Sequence, residues 1–272
     1  MLLVTDPLEN LDETRDEVTE QPKPRHRGIY LLPNLFTTAG LFAGFYAIVA
    51  AINGRFEAAA VAIFIAMVMD GLDGRVARMT NTESDFGKEY DSLVDMVAFG
   101  LAPALVMFTY SLKTLGKVGW VAAFVYAAAT ALRLARFNTQ VPTFGKNYFQ
   151  GLASPSAAAL VAGLVWIGAD KGIAGGSLVT VAFVITILAA LLMVSNIRYR
   201  SFKDIDLKGK VPFVTVIVVL FAFALVSLHP PYVLFFLFLS YALSGPILTL
   251  LHLRQKRRSR KHSGGDGTGS SS

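Results

Sequence analysis

Long apolar runs dominate this sequence and most constrain its fold. A helix needs about 20 apolar residues to cross a bilayer core of about 30 Å, and eight runs come close to that length. They cover residues 30–52, 57–79, 88–111, 117–137, 152–169, 174–197, 211–228 and 231–253. Only 16% of the residues are charged, against about a quarter in a soluble domain. The sequence therefore predicts an all-α integral membrane protein with about eight transmembrane helices.

The basic side chains indicate how these helices are oriented. With the N-terminus in the cytoplasm, all lysines and arginines except Arg55, Lys113, Lys117 and Lys171 fall on the cytoplasmic side. This bias follows the positive-inside rule. We therefore expect a multi-pass protein of the cell (cytoplasmic) membrane with both termini in the cytoplasm. Topology also accounts for the net charge of +6, and no nucleic-acid partner is expected.

The two ends of the chain differ in composition from its apolar middle. Residues 1–28 are polar and acidic, and they lack the basic-then-apolar pattern of a secretory signal. Residues 254–272 begin with a basic cluster and end rich in glycine and serine. Such compositions are typical of disorder. We predict a disordered acidic cytoplasmic tail, one membrane domain over 29–253, and a second disordered tail.

Four aspartates lie well inside two of the apolar runs. Asp70 and Asp73 belong to the second run, and Asp91 and Asp95 to the third. A charged side chain at membrane depth costs at least about 2.5–3.5 kcal/mol. Spacings of three and four residues place each pair on one helix face. Two antiparallel helices with a short loop would bring the four carboxylates together at one depth, near the cytoplasmic side.

Four carboxylates in one place repel each other unless cations neutralise them. The chain has no cysteine and no histidine near these residues, so the ligands are oxygens alone. Oxygen ligands suit Mg²⁺ or Mn²⁺ better than Zn²⁺. A pair of such ions can bridge phosphate oxygens and stabilise the attacking and leaving oxygens of a displacement.

Small residues surround the acids. Gly71, Gly74 and Ala77 follow Asp70 along the same helix. Small residues in membrane helices often mark close helix–helix packing, and here they would also leave room for a nucleotide-sized ligand. Arg78 lies two turns beyond Asp70 and could hold a phosphate. We favour the interpretation as ligand space.

Residues 70–95 read DGLDGRVARMTNTESDFGKEYDSLVD and match the pattern D-x2-D-G-x2-A-R-x8-G-x3-D-x3-D without a gap. The chain thereby resembles the CDP-alcohol phosphotransferase family, and the stretch PNLFTT (33–38) extends the resemblance upstream. The eight fixed positions of the pattern are all unaltered.

The family resemblance implies roles for the residues of this pattern. It makes metal ligands of Asp70, Asp73, Asp91 and Asp95. Asp95 would also take the proton from the incoming hydroxyl. The CDP site would be lined by Gly74, Ala77, Arg78 and Gly87. The resemblance further implies two divalent cations and a homodimer.

Two further stretches bear on the acceptor alcohol. ALRLARFN (131–138) and YFQGLASPSAAA (148–159) resemble segments of the bacterial phosphatidylserine synthases, although Ala153 replaces their usual proline. This implies CDP-diacylglycerol and L-serine as substrates. Arg133, Arg136 or Asn138 could bind the serine carboxylate, although the arginines could instead be interfacial anchors. Glycerol 3-phosphate and inositol phosphate remain alternative acceptors.

A cation transporter is the alternative from another class of protein, because intramembrane carboxylates also form transport sites. A transporter would be expected to have acids or broken helices distributed along a pathway at the midplane. Here all four acids lie in one pair of predicted helices near one face. Their distribution favours the enzyme.

Overall fold

The computed structural model describes residues 31–80, 82, 84–139, 148–200 and 213–263, and most of these are helical. The α-helices in this part of the chain are α1 (Leu31–Ile52), α2 (Phe56–Thr80), α3 (Asp85–Asp95), α4 (Ala102–Tyr110), α5 (Lys117–Thr139), α6 (Ser154–Asp170), α7 (Val179–Val194), α8 (Phe213–Leu228) and α9 (Pro230–Ser263). A π-helical segment (Met96–Leu101) joins α3 to α4. Single 3₁₀ turns cover Leu112–Leu115 and Gly175–Leu178.

In the part of the chain that the structure describes, five helical stretches are long and apolar enough to cross a membrane. They are Pro33–Ile52, Asp85–Tyr110, Lys117–Thr139, Gly175–Val194 and Pro230–Thr249. The other three predicted runs form α2, which carries five charged side chains, and the shorter helices α6 and α8, of 17 and 16 residues. The helical membrane fold is thus confirmed, while the number of spans and the side of the termini remain predictions.

Helix α1 packs against both helices that carry the acids. A Cβ added at Gly40 would lie 3.7 Å from side-chain atoms of Met69 on α2 and of Val94 on α3. Further along α1, a Cβ at Gly44 would lie 2.8 Å from the Cα of Ala98, in the π-helical segment. Small residues let helix backbones approach this closely. α1 therefore holds α2 and α3 in their relative positions.

The two predicted tails have different outcomes. Residues 1–28 and 264–272 lie outside the described residues. Residues 254–263 were expected to be disordered, but α9 continues to Ser263. The stretch from Leu251 to Ser263 contains neither glycine nor proline and is rich in lysine and arginine, which are good helix formers. The basic cluster is therefore the end of a helix.

A short pair of strands ties two inter-helix loops together, which the all-α prediction missed. Strand β1 (Tyr148–Gln150) pairs antiparallel with β2 (Arg198–Arg200). The Tyr199 side chain is buried, and its hydroxyl donates to the carbonyl oxygen of Ala242 in α9 at 2.9 Å. Gly245 lies against the Tyr199 ring, where a Cβ would overlap ring atoms. We call this strand pair, together with the Tyr199 contact, the brace. The brace connects the loop between α5 and α6 and the loop between α7 and α8 to helix α9.

The far end of the bundle is tightly closed. The Tyr110 hydroxyl donates to the carbonyl oxygen of Ile173, and the Ser111 hydroxyl to that of Gly175, both at 2.7 Å. Phe56, the first residue of α2, packs edge-on against the Tyr110 ring at 5.0 Å. Asp70 lies about 21 Å further along α2, at 1.5 Å per residue. We call this region, around Tyr110, Ser111 and Gly175, the closed end.

Candidate functional site

Of the four aspartates in the predicted apolar runs, three converge. One carboxylate oxygen each from Asp70 on α2 and from Asp91 and Asp95 on α3 lie within 4.8 Å of one another. The ion pairs among the described residues are Lys88–Asp85 and Lys171–Asp170. Within this part of the chain, no lysine or arginine nitrogen therefore lies within 4.0 Å of the three converging carboxylates. Convergent carboxylate oxygens that lack a salt-bridge partner form the ligand set that Mg²⁺ and Mn²⁺ prefer. These three residues therefore fit a divalent cation.

Asp73 lies beside this group and is not part of it. Its side chain is 5% exposed and accepts a hydrogen bond from the Thr37 hydroxyl at 2.8 Å. The residue three positions after Asp70 is turned by about 60° around the helix axis, which directs Asp73 toward α1. Asp73 nevertheless lines one small void together with the three converging aspartates. The prediction that the acids lie together is confirmed for three of them, with Asp73 adjoining.

A cavity of about 350 Å³ opens next to the acids. Asp73 and Asp91 form part of its wall, so the cavity adjoins the acid cluster. The same wall contains all four residues expected to bind CDP, namely Gly74, Ala77, Arg78 and Gly87. The structure thus brings this predicted set together around one space.

Gly74 of α2 favours ligand space over helix packing, because it lines the cavity. A Cβ added at Gly71 or Gly74 would meet no heavy atom within 4 Å in the described part of the chain. Gly87 differs, because a Cβ there would lie 3.2 Å from the hydroxyl of Ser84. That hydroxyl caps α3 by accepting the Gly87 N–H at 3.0 Å. Small size at 74 therefore opens the cavity, whereas at 87 it also permits the helix cap.

Several lining residues carried no predicted role. They are Pro33, Asn34, Thr37, Thr82, Ser84, Lys88 and Phe137. The first three belong to PNLFTT, so the upstream resemblance was the available signal for them. Thr37 could also have been suspected because it is a polar residue on an apolar helix. Sequence patterns within α2 and α3 could not show that α1 supplies part of the wall.

Arg133 points toward the acids. Its Nη1 donates to the Ser154 hydroxyl at 2.6 Å, and its buried Nε has no hydrogen-bond partner among the described residues. The guanidinium interacts electrostatically with Asp95 and Asp70, although it forms no ion pair with either within 4.0 Å. An interfacial anchor would extend toward lipid headgroups. Arg133 instead contributes positive charge beside the carboxylates.

The other two residues that were predicted to bind the acceptor alcohol form hydrogen bonds to neighbouring segments. Arg136 Nη2 donates to the side-chain oxygens of Gln150 and of Asn196, the latter at 2.7 Å. Asn138 is exposed, and its Nδ2 donates to the Ser92 hydroxyl on α3 at 3.0 Å. Both of these partners of Arg136 are neutral, so its charge is available to an anion.

Clustered carboxylates lie beside a nucleotide-sized cavity in this helical protein, and comparison with known proteins gives its family. The sequence model for CDP-alcohol phosphatidyltransferase matches residues 30–188, more than half of the chain, and the chain belongs to this family. It is therefore an enzyme, and the alternative of a cation transporter is set aside.

Three bacterial relatives are named CDP-diacylglycerol–serine O-phosphatidyltransferase. The Helicobacter pylori protein is 38% identical over 192 residues, covering 71% of this chain and 81% of the relative. The Mycobacterium leprae protein is 32% identical over 230 residues, with coverages of 82% and 76%. The Bacillus subtilis protein is 32% identical over 183 residues, with coverages of 63% and 91%.

Proposed function

We propose that the protein transfers a phosphatidyl group from CDP-diacylglycerol to L-serine, giving phosphatidylserine and CMP. The reaction uses two divalent cations, Mg²⁺ or Mn²⁺, held by Asp70, Asp73, Asp91 and Asp95. The observation that carries this proposal is that the converging carboxylates adjoin a cavity of about 350 Å³, whose wall includes Asp91. Metal-ligating oxygens on one side of a nucleotide-sized space suit a diphosphate substrate.

Asp95 takes the proton of the serine hydroxyl. The hydroxyl oxygen then bonds to the β-phosphorus of CDP-diacylglycerol, while the bond from that phosphorus to the bridging oxygen breaks and CMP leaves with the electron pair. This direct displacement requires a base within hydrogen-bonding reach of the hydroxyl. Asp95 is the deepest acid of the α3 pair and belongs to the converging group.

The remaining residues bind and orient the donor. Arg78 and Lys88 line the cavity and supply positive charge to the diphosphate. Gly74 and Ala77 leave space for the nucleotide. When bound, the divalent cations neutralise charge that develops on the phosphate oxygens.

Arg133, Arg136 or Asn138 binds the serine carboxylate. This part of the proposal is supported by the names of the relatives and by the position of Arg133, which places a positive charge beside the acid cluster. The two arginines donate to neutral oxygens, and a substrate carboxylate is a stronger acceptor than either. Glycerol 3-phosphate and inositol phosphate also bring anionic groups, so they are the alternative acceptors that an assay has to separate.

We place the enzyme in the cytoplasmic membrane as a homodimer, with the site open to the cytoplasm. The positive-inside distribution of basic residues supports this orientation. Exposed apolar side chains on several helices, among them Phe42, Phe124 and Leu191, suit contact with membrane lipid.

One assay tests the proposal. Purified full-length protein is given CDP-diacylglycerol with Mn²⁺ or Mg²⁺, and serine, glycerol 3-phosphate and inositol phosphate are offered in parallel while CMP release is measured. We expect release with serine and little with the other two. Release with a different acceptor alone would replace serine in the proposal, and release with none would overturn it.

A second measurement tests the direct displacement. Enzyme incubated with labelled CDP-diacylglycerol, without an acceptor, is expected to stay unlabelled and not to exchange CMP into the donor. Rapid exchange would indicate a covalent lipid–enzyme intermediate and contradict the role given to Asp95. Asp95→Asn serves as the control, since it should lose transfer and leave the absence of exchange unchanged.

A further inference from the structure

The helix that carries Asp91 and Asp95 changes its geometry immediately after Asp95. α3 ends at Asp95, and the next six residues, Met96–Leu101, are π-helical. The Ala102 N–H donates to the carbonyl oxygen of Val97, five residues back instead of four. π-helical turns are rare and are frequent at functional sites. The cause of this turn can be found in the sequence and in a neighbouring helix.

Pro103 removes one hydrogen bond from the helix. In a regular α-helix the carbonyl of residue 99 accepts the N–H of residue 103, and proline has none. The hydroxyl of Tyr126 on α5 donates to the Phe99 carbonyl oxygen at 3.1 Å. Tyr126 is fully buried, as is Phe99. A buried carbonyl without a partner is costly, and the phenol supplies a donor to this carbonyl where Pro103 has none.

One face of α5 packs along the π-helical segment, which we call the wide turn. Tyr126, Thr130 and Arg133 lie at spacings of four and three residues and therefore share that face. A Cβ at Gly100 would lie 3.2 Å from the Thr130 methyl carbon, so Gly100 lets the π-helical segment approach α5. One turn further on, Arg133 interacts electrostatically with Asp95.

The width of the turn determines where Asp95 points. A π turn contains one residue more than an α turn, and closing it would rotate the preceding helix by about 100° relative to the following one. The following helix, α4, is fixed at the closed end by the Ser111 hydrogen bond and by the close packing of Gly175 against the Tyr110 backbone, and neither contact needs the Tyr110 hydroxyl. The rotation would therefore move Asp91 and Asp95 away from Asp70.

We propose that Tyr126 is a positioning residue for the reaction: its hydroxyl maintains the wide turn after Asp95 and thereby directs Asp95 toward Asp70 and Arg133. Tyr126 itself touches neither substrate. The inference rests on the proposed role of the acid cluster, and its test includes a measurement that needs neither substrate.

Tyr126→Phe removes the hydroxyl alone, and the chain offers a matched control. Tyr110 is also a buried tyrosine that donates to a backbone carbonyl, at the closed end. We measure thermal unfolding, Mn²⁺ binding by calorimetry without substrates, and kcat and KM for both substrates. Tyr126→Phe should weaken Mn²⁺ binding by about tenfold and lower kcat by about ten- to a hundredfold, with both KM values little changed. Tyr110→Phe should lose similar thermal stability and keep both properties.

The double variant Pro103→Ala/Tyr126→Phe separates positioning from stability. Alanine at 103 restores the N–H that the Phe99 carbonyl lacks, so this variant should regain stability and fold even where the single variant does not. Because a regular α-helical turn is then favoured, Mn²⁺ binding and kcat should stay low. If the double variant regained Mn²⁺ binding and kcat together with stability, the proposal would be overturned. The same holds if the Tyr126→Phe enzyme bound Mn²⁺ as well as the Tyr110→Phe enzyme does. If the parent enzyme bound Mn²⁺ but did not use serine, the proposed acceptor would be wrong. The comparison of Mn²⁺ binding between Tyr126→Phe and Tyr110→Phe would still decide the role of Tyr126.

Discussion

At the closed end, a Cβ added to Gly119 would overlap the Leu112 carbonyl oxygen, and one added to Gly175 would overlap that of Tyr110. At the other end, a Cβ added to Gly71 or Gly74 would meet nothing within 4 Å. The same residue type thus permits backbone contact in one region and keeps space open in the other. Composition alone does not distinguish these uses.

Charge differs between the two regions in a similar way. At the closed end, Lys171 pairs with Asp170 at 3.7 Å and lies over the ring of Tyr232. Near the cavity, Asp70, Asp91 and Asp95 lack such a partner among the described residues. A protein gains no stability from clustered carboxylates in a membrane. The comparison indicates that the closed end maintains the fold and that the acid end has been shaped for a ligand.

The largest expected effect comes from removing the metal or one of its ligands. Excess chelator should abolish CMP release, and Mg²⁺ or Mn²⁺ should restore it. Asp91→Asn should lower kcat by at least about a hundredfold, because charge on the reacting phosphate loses stabilisation. Asp170→Asn, at the closed end, is the matched control and should stay within about twofold of the parent. Full turnover in excess chelator would contradict the metal site.

The next effect concerns the acceptor. Alanine at Arg133, Arg136 or Asn138 should raise KM for serine by about ten- to a hundredfold at the residue that binds the carboxylate, since a hydrogen bond to a charged group is worth about 1.5–3 kcal/mol. KM for CDP-diacylglycerol should change little. Lys171→Ala removes a cation at the closed end and should alter neither. Unchanged serine kinetics in all three variants would leave these residues without a role in acceptor binding.

A pair of glycine variants tests the comparison directly. Gly74→Ala places a methyl group in the cavity wall and should raise KM for CDP-diacylglycerol by about tenfold without lowering thermal stability, because alanine favours the helix. Gly175→Ala should destabilise the protein by about 1–3 kcal/mol and leave KM unchanged. Thermal unfolding and steady-state kinetics on both variants give the result. Equal behaviour of the two would remove the distinction between the regions.

The smallest expected effect is at Thr37. Its single hydroxyl proton is shared between Asp73 and the Pro33 carbonyl oxygen, so the contribution to Asp73 is modest. Thr37→Val should raise the Mn²⁺ concentration needed for half-maximal activity by about three- to tenfold. Thr186→Val, which loses a hydrogen bond within α7, is the control. An unchanged Mn²⁺ requirement would show that Thr37 does not tune Asp73.

The sequence predicted those features that depend on spacing within one helix. Apolar runs gave the helices nearly to the residue, as α1 and α2 illustrate. Spacings of three and four gave the acid pairs, and the family resemblance gave the cavity wall at Gly74, Ala77, Arg78 and Gly87.

Features that depend on contacts between distant segments could not be predicted in the same way. The bond from Thr37 to Asp73 joins residues 36 positions apart, and the bond from Arg133 to Ser154 joins residues 21 apart. The strands of the brace are too short to show an alternating pattern. Pro103 was visible in the sequence, but the donor that replaces its N–H comes from another helix.

The brace limits how far the chain can be shortened at its C-terminal end. The match to the family ends at residue 188, whereas Asn196, which holds Arg136, and Tyr199, which is anchored on α9, both come later in the chain. A ribosome has therefore synthesised every aspartate of the cluster about a hundred residues before these supports emerge. Synthesis proceeds at about 5–20 residues per second, so at least several seconds pass between the synthesis of the acid helices and that of these supports. A fragment trimmed to the matched region would stop at that unfinished stage.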